Sequence, residues 1–282
     1  IDTTTAAAIS GILGILLFTS PKMGGVLDNT AKVLGTVMLV LIGYVAFSTN
    51  PPVAEAATHA IVPTNYPWLA TITLIGGTVG GYITFSGGHR LIDAGITGRE
   101  HLKDVRRAAF MGMSVDAIVR ILLFLAVLGV VSMGFALDPK DPAGSAFLLG
   151  AGEIGHKLFG IVFFCAALTS VVGAAYTSVS FLKTLFKVVE RYEKLTIMAF
   201  IFVSTCILIF IGKPATLLIV AGSVNGLILP VTLAVMLLAT RKTNIVGDYK
   251  HNPVLFYTGW IVVLVTAYIG VTSLQGIAKL LG

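Results

Sequence analysis

Eight long apolar stretches alternate with short polar connections along the chain. They occupy residues 4–19, 31–48, 68–95, 107–134, 155–182, 195–212, 214–240 and 254–280. About 20 apolar residues are enough to cross the hydrocarbon core of a bilayer as a helix. The pattern therefore predicts an all-α polytopic membrane protein with about eight transmembrane helices. No composition shift or low-complexity linker marks a soluble domain, so residues 1–282 are expected to form one transmembrane domain.

Composition agrees with this class and excludes others. Hydrophobic residues make up 56% of the chain and charged residues only 11%, with a mean hydropathy of +0.95. Soluble domains carry roughly a quarter charged residues, so a water-soluble enzyme is excluded. The net charge of +6 is dispersed through the connections and does not indicate nucleic acid binding. We expect no cofactor, no nucleic-acid partner, and membrane lipid as the surrounding partner of an integral protein of the bacterial plasma membrane.

The basic residues of the connections fix a predicted orientation. The first, third, fifth and seventh connections together hold 14 Lys and Arg residues, whereas the other connections and the C-terminal end hold 4. The positive-inside rule places the basic set in the cytoplasm. Both ends of the chain, Ile1 and Gly282, are then expected outside.

The third apolar stretch is interrupted by glycine. Six glycines fall within thirteen residues, at positions 76, 77, 80, 81, 87 and 88. Each glycine costs a helix interior about 1 kcal/mol relative to alanine, so the stretch favours a break. A broken membrane helix is a sequence signal for a transporter's substrate site. We predict two half-helices separated near Gly77 to Tyr82; the alternative is that small residues only allow close helix packing.

Several segments, in order along the chain, resemble the natural resistance-associated macrophage protein (NRAMP) family of metal transporters. Residues 75–79 (IGGTV) and 85–89 (FSGGH) look like the family's sixth helix, 116–119 (DAIV) like an acidic position of the seventh, 158–161 (LFGI) like the start of the eighth, and 229–230 (LP), 238–242 (LATRK) and 247–248 (GD) like the tenth helix and its cytoplasmic loop. The resemblance implies that the chain corresponds to helices four to eleven of the five-plus-five inverted-repeat fold. Residues 68–240 would form the second five-helix repeat, and the chain would be N-terminally incomplete.

Two departures from the family bear on the substrate. The family's metal site joins an Asp-Pro-Gly-Asn turn of the first helix to a Met-Pro-His turn of the sixth. The first turn is absent here, and the methionine position is Gly80. Thioether sulfur favours soft transition metals, whereas oxygen donors suit Mg²⁺ or Na⁺. The expected substrate-binding residues are Gly77, Thr78, Gly80, Gly81, Tyr82, Thr84, Ser86 and Asn225, with backbone carbonyls near Gly77 and Gly80 as ligands if a metal is carried. For Asn225 the alternative is a hydrogen bond to a neighbouring helix.

Three charged or titratable residues are candidates for ion coupling. Asp116 and Arg120 are four residues apart in an apolar helix, so they share a face and can pair. Charges at membrane depth cost about 2.5–3.5 kcal/mol each and usually face a cavity or relay, although a static structural pair is the alternative. His89 is a candidate proton relay because histidine changes charge near neutral pH. It adjoins Arg90, however, and an interfacial position is equally compatible with the sequence.

The expected function is secondary active transport of a divalent metal cation, coupled to protons, and not catalysis. One alternative is a cation-coupled symporter of a small organic acid or amino acid, since one scaffold carries many substrates. Another is an inactive fragment that needs the missing N-terminal helices as a partner. On the family correspondence, residues 1–282 alone are expected not to transport.

Overall fold

The computed structural model describes residues 3–19, 21–79, 88, 91–92, 94–139 and 141–281, although the side chains of residues 3, 21–31 and 275–281 are outside that description. Within these residues the regular structure is helical. The helices are α1 Thr3–Thr19, α2 Pro21–Ser48, α3 Val53–Ile61, α4 Trp68–Val79, α5 Leu102–Ser132, α6 Pro142–Leu185, α7 Lys187–Arg191, α8 Glu193–Ile211, α9 Pro214–Ala239, α10 Thr243–Val246 and α11 Pro253–Leu281. The predicted all-α class is confirmed.

Prolines begin four of the long helices. Pro21, Pro142, Pro214 and Pro253 are the first residues of α2, α6, α9 and α11. Proline suits this position because its fixed φ is already helical and its missing N–H has no partner to lose there. Helix α2 therefore begins ten residues before the predicted segment that starts at residue 31.

The predicted segments correspond to the helices one by one. Over the described residues, five helices are long and apolar enough to cross a membrane, and these are Leu102–Ser132, Pro142–Leu185, Glu193–Ile211, Pro214–Ala239 and Pro253–Leu274. Lys32–Ser48, the part of α2 whose side chains are described, and Val53–Ile61 form a further candidate span as a pair bent by 102°. Thr4–Thr19 and Trp68–Val79 are apolar but shorter. The number of complete crossings, eight, stays a prediction.

One core lies where α2, α5 and α6 meet. Its buried side chains are Ile42, Val45, Ala46, Ala126, Val130, Phe147 and Phe159. The rings of Phe147 and Phe159 stack with centroids 4.4 Å apart. Helix α6 changes direction at Gly152, whose φ of 67° suits glycine, close to the predicted start of that membrane segment at residue 155. A second buried cluster joins α6 to α8 and contacts α1.

Helix α4, which carries the predicted substrate residues, belongs to a different set of contacts. It packs against α9 and α11, while α5 packs against α2 and α6. Residues 77–79 of α4 and the middle of α5 therefore come from helices with different packing partners.

Candidate functional site

Helix α4 is continuous through Val79, so the first residues of the predicted break are helical. Gly77 and Thr78 lie inside this helix, so an interruption does not begin at Gly77. One reason is that the neighbouring Gly76 is fixed by contact with α9, and tertiary contacts override weak helix propensity. Residues 80–87, where the remainder of the predicted break falls, lie outside the described residues.

Gly76 is a point of close backbone approach between α4 and α9. A Cβ built on Gly76 would overlap the carbonyl oxygen of Gly222 and the amide nitrogen of Gly226. A Cβ on Gly226 would lie 2.6 Å from the carbonyl oxygen of Ile72. Three glycines thus let the two backbones touch, as small residues do in membrane interfaces. The close-packing interpretation holds for Gly76, whereas a Cβ on Gly77 would meet nothing within 4 Å.

Polar side chains add hydrogen bonds to this interface. The Asn225 side-chain amide donates to the Gly76 carbonyl, with a nitrogen–oxygen distance of 3.1 Å. The hydroxyls of Thr73 and Ser223 lie 2.8 Å apart, and Ser223 is fully buried. Asn225, a predicted substrate ligand, therefore contacts α4 directly, next to Gly77 and Thr78 of the predicted site.

Asp116 and Arg120 form the ion pair that their spacing predicts. Arg120 Nε donates to Asp116 Oδ2 at 2.8 Å, in the middle of the 31-residue helix α5. The side chains keep 44% and 49% of their surface accessible within the protein, so they face a space and not a packed core. Pairing lowers the cost of holding two charges at membrane depth.

A cleft of about 730 Å³ lies between α3, α4 and α5. Its walls are mostly apolar, and the polar exceptions are Thr78, from the end of α4, and Arg120. The cleft therefore brings together a predicted substrate residue and half of the predicted coupling pair. The contribution of α3 is a finding of the structure, because that nine-residue helix lies in a connection for which the sequence analysis predicts no element.

The other predicted residues have different outcomes. Gly80, Gly81, Tyr82, Thr84, Ser86 and His89 lie outside the described residues. Within the described part of the chain, no three His, Cys, Asp or Glu side chains converge on a possible metal position. Sequence reasoning did not identify Thr73, Gly222, Ser223 and Gly226 as contact residues. The spacing Gly222-x-x-x-Gly226 is the signal for close helix contact that was present in the sequence.

The long apolar helices define an integral membrane protein. The chain belongs to the natural resistance-associated macrophage protein-like family, whose model matches residues 1–275. This is a family of membrane transporters and not of enzymes. The predicted resemblance is confirmed.

Two bacterial relatives are similar over almost the whole chain. An uncharacterized membrane protein of Haemophilus influenzae is 50% identical over 261 residues, which are 93% of this chain and 66% of that protein. The uncharacterized membrane protein YcsG of Bacillus subtilis is 48% identical over 270 residues, which are 96% of this chain and 67% of that protein. The chain thus spans about two thirds of the length of these relatives.

Proposed function

We propose that the full-length protein containing this chain is a secondary active transporter that moves a divalent metal cation with coupling to protons. The observation that carries the proposal is the shared cleft, which Thr78 and Arg120 line while Asp116 pairs with Arg120. Ion-coupled transport needs an oxygen ligand for the substrate, here Thr78, and a titratable carboxylate close to the same space, here Asp116.

The donor chemistry favours a hard cation. Thr78 offers a hydroxyl that lines the cleft. The family's methionine position is Gly80, so no thioether is present there. Oxygen donors suit Mg²⁺, and we propose that the transporter does not strongly prefer Mn²⁺ or Cd²⁺ over Mg²⁺.

The ion pair on α5 supplies a coupling step. While Asp116 is ionised, it holds the Arg120 guanidinium by a 2.8 Å contact. Protonation of Asp116 removes that attraction and frees the guanidinium, which lines the cleft. A proton entering at Asp116 therefore changes the charge that the substrate meets beside Thr78. In this proposal the Asp116–Arg120 ion pair breaks and forms again during transport, and is not only a structural contact.

A second function is favoured by the walls of the cleft. Most of its lining is apolar, and Arg120 is the one cation among the residues that line it in the described structure. A guanidinium beside apolar walls suits the carboxylate and carbon skeleton of a small organic acid or amino acid. Cation-coupled symport of such a solute is therefore the competing proposal.

Uptake into proteoliposomes under a proton gradient separates these proposals. Full-length protein is tested with Mg²⁺, Mn²⁺, Cd²⁺ and small organic acids, with empty liposomes as the control. We expect metal uptake without strong preference for Mn²⁺ or Cd²⁺. Efficient Mn²⁺ or Cd²⁺ uptake that survives Tyr82→Phe would contradict the oxygen-donor site. Uptake of an organic acid without any metal dependence would support the second function instead.

A further inference from the structure

A second cleft, outside the proposed transport site, lies where α9 ends and α11 begins. The loop between Ala239 and Pro253 folds back through the short helix α10. It encloses a cleft of about 280 Å³. Its polar and charged lining consists of Thr240, Arg241, Thr243, Tyr249, Lys250 and His251. Two cations, an imidazole and three hydroxyl-bearing side chains form a donor set suited to an oxyanion.

The cations of this cleft form no ion pair with the carboxylates of the described residues. Among the described residues, no Asp or Glu lines the cleft, and neither Arg241 nor Lys250 has an ion-pair partner. The Arg241 guanidinium lies 4.2 Å from the centre of the Phe256 ring, a contact that orients the group without cancelling its charge. The positive end of the α11 dipole lies beside it, at Pro253.

A neighbouring cleft adds positive charge from another part of the chain. It has a volume of about 360 Å³ and is lined by Arg99 and Leu102, which precede and begin α5. Val246 and Tyr249 line both clefts. Arg99 from the third connection and the basic residues of the seventh connection therefore lie near the same two side chains.

The position of the cleft indicates where its ligand comes from. Both flanking helices are long and apolar enough to cross a membrane, so the cleft lies at the level where the hydrocarbon core ends. Pro253 and Phe256 give it an apolar wall. The positive-inside rule assigns this end to the cytoplasmic leaflet. Basic pockets between transmembrane helices at that surface bind the headgroups of anionic lipids.

We propose that the phosphate headgroup of an anionic phospholipid occupies this cleft, held by Arg241 and Lys250, with its acyl chains running along the apolar surface of α9 and α11. Free inorganic phosphate has the same oxyanion chemistry but would not use the adjoining hydrocarbon surface. The site is independent of the proposed transport function, because none of its residues lines the cleft between α3, α4 and α5.

Native mass spectrometry of the full-length protein in detergent tests the proposal. The protein is titrated with phosphatidylglycerol, with phosphatidylethanolamine of matched acyl chains, or with inorganic phosphate. The test variant is R241Q/K250Q. The matched control is K187Q/R191Q, which removes one Lys and one Arg from the fifth connection, where Arg191 lies 5.6 Å from the ring centre of Tyr192.

We expect phosphatidylglycerol to bind more tightly than phosphatidylethanolamine. R241Q/K250Q should raise the dissociation constant for phosphatidylglycerol about tenfold, and the control less than about twofold. If the double variant does not elute as a monodisperse protein, Lys250→Gln is used alone, because Lys250 is exposed and its replacement should not disturb folding. Its expected effect is a dissociation constant about threefold higher.

Three results would overturn the proposal. Equal binding of the two lipids would show that net charge of the headgroup is not recognised. Equal weakening by the test and control variants would reduce the site to general surface charge. Binding of inorganic phosphate at millimolar concentration, lost in R241Q/K250Q and without preference for phosphatidylglycerol, would assign the cleft to the free ion.

Discussion

The two faces of α4 differ in how much room they leave. Ile72 and Gly76 point to α9, where Ile72 is fully buried and Gly76 touches backbone. Leu74 and Thr78 lie about half a turn away and line the open cleft toward α5. Residues four apart share a helix face, so each pair belongs to one side of the same twelve-residue helix.

This difference separates anchoring from substrate space. On the α9 side, backbone contact and buried hydrogen bonds leave no space for a ligand or for a larger side chain. On the α5 side, a cleft of about 730 Å³ separates the helices. Packing against α9 holds helix α4 in place on one face. The open face of the same helix can then present its residues to a substrate.

The largest expected effect comes from placing a methyl group on the anchored face. In Gly76→Ala, the new Cβ would overlap the backbone of Gly222 and Gly226, which cannot rotate away. Overpacking of this kind costs about 3 kcal/mol in unfolding free energy. We expect a clearly lower thermal unfolding midpoint for the full-length protein in detergent. The midpoint is measured by size-exclusion chromatography of samples heated to increasing temperatures.

Gly77→Ala is the matched control for that experiment. It makes the same chemical change one residue later, where a Cβ meets nothing within 4 Å. Alanine favours a helix over glycine by about 1 kcal/mol, so the midpoint should stay the same or rise. Equal midpoints for the two variants would contradict the close approach of α4 and α9.

Asp116→Asn tests the open side. It removes the titratable carboxylate and leaves Arg120 without its 2.8 Å partner. We expect proton-driven uptake by the full-length protein to fall at least about tenfold, which corresponds to about 1.4 kcal/mol in transition-state free energy.

Glu153→Gln is the control for the loss of a carboxylate. Glu153 pairs with Lys157 at 3.4 Å with the same four-residue spacing, but the two side chains are 80% and 75% exposed. Exposed pairs of this kind contribute little, so uptake should not change. Normal proton-driven uptake in Asp116→Asn would show that the α5 pair is only structural.

Most of the fold was predictable because membrane helices follow hydropathy closely. Each predicted segment corresponds to a helix, and the DAIVR sequence at 116–120 correctly predicts an ion pair. The differences lie at helix boundaries and in short helices. Helix α2 begins at Pro21, ahead of the predicted segment, because proline suits the first position of a helix. The helix Val53–Ile61 is too short for a hydropathy signal.

The site was harder to predict because glycine has two physical meanings. Gly76 and Gly77 are identical in sequence terms, yet one is required by a neighbouring backbone and the other meets open space. Only the position of α9 distinguishes them. Asn225 also depends on the position of α9. The sequence allows either substrate binding or a contact between helices, and in the structure the Asn225 side-chain amide donates to the Gly76 carbonyl.

The smallest expected effects come from replacing one threonine with valine on each face of α4. Thr73 and Thr78 each donate a hydrogen bond to the carbonyl four residues earlier, but Thr73 also contacts the buried Ser223 hydroxyl at 2.8 Å. Thr73→Val should therefore lower the unfolding free energy by about 1 kcal/mol and leave the KM for uptake unchanged. Thr78→Val should leave stability unchanged and raise the KM, because its hydroxyl lines the cleft. Unfolding midpoints and uptake curves of the full-length variants provide both quantities. If Thr73→Val raised the KM and Thr78→Val lowered stability, the assignment of the anchored and open faces would be reversed.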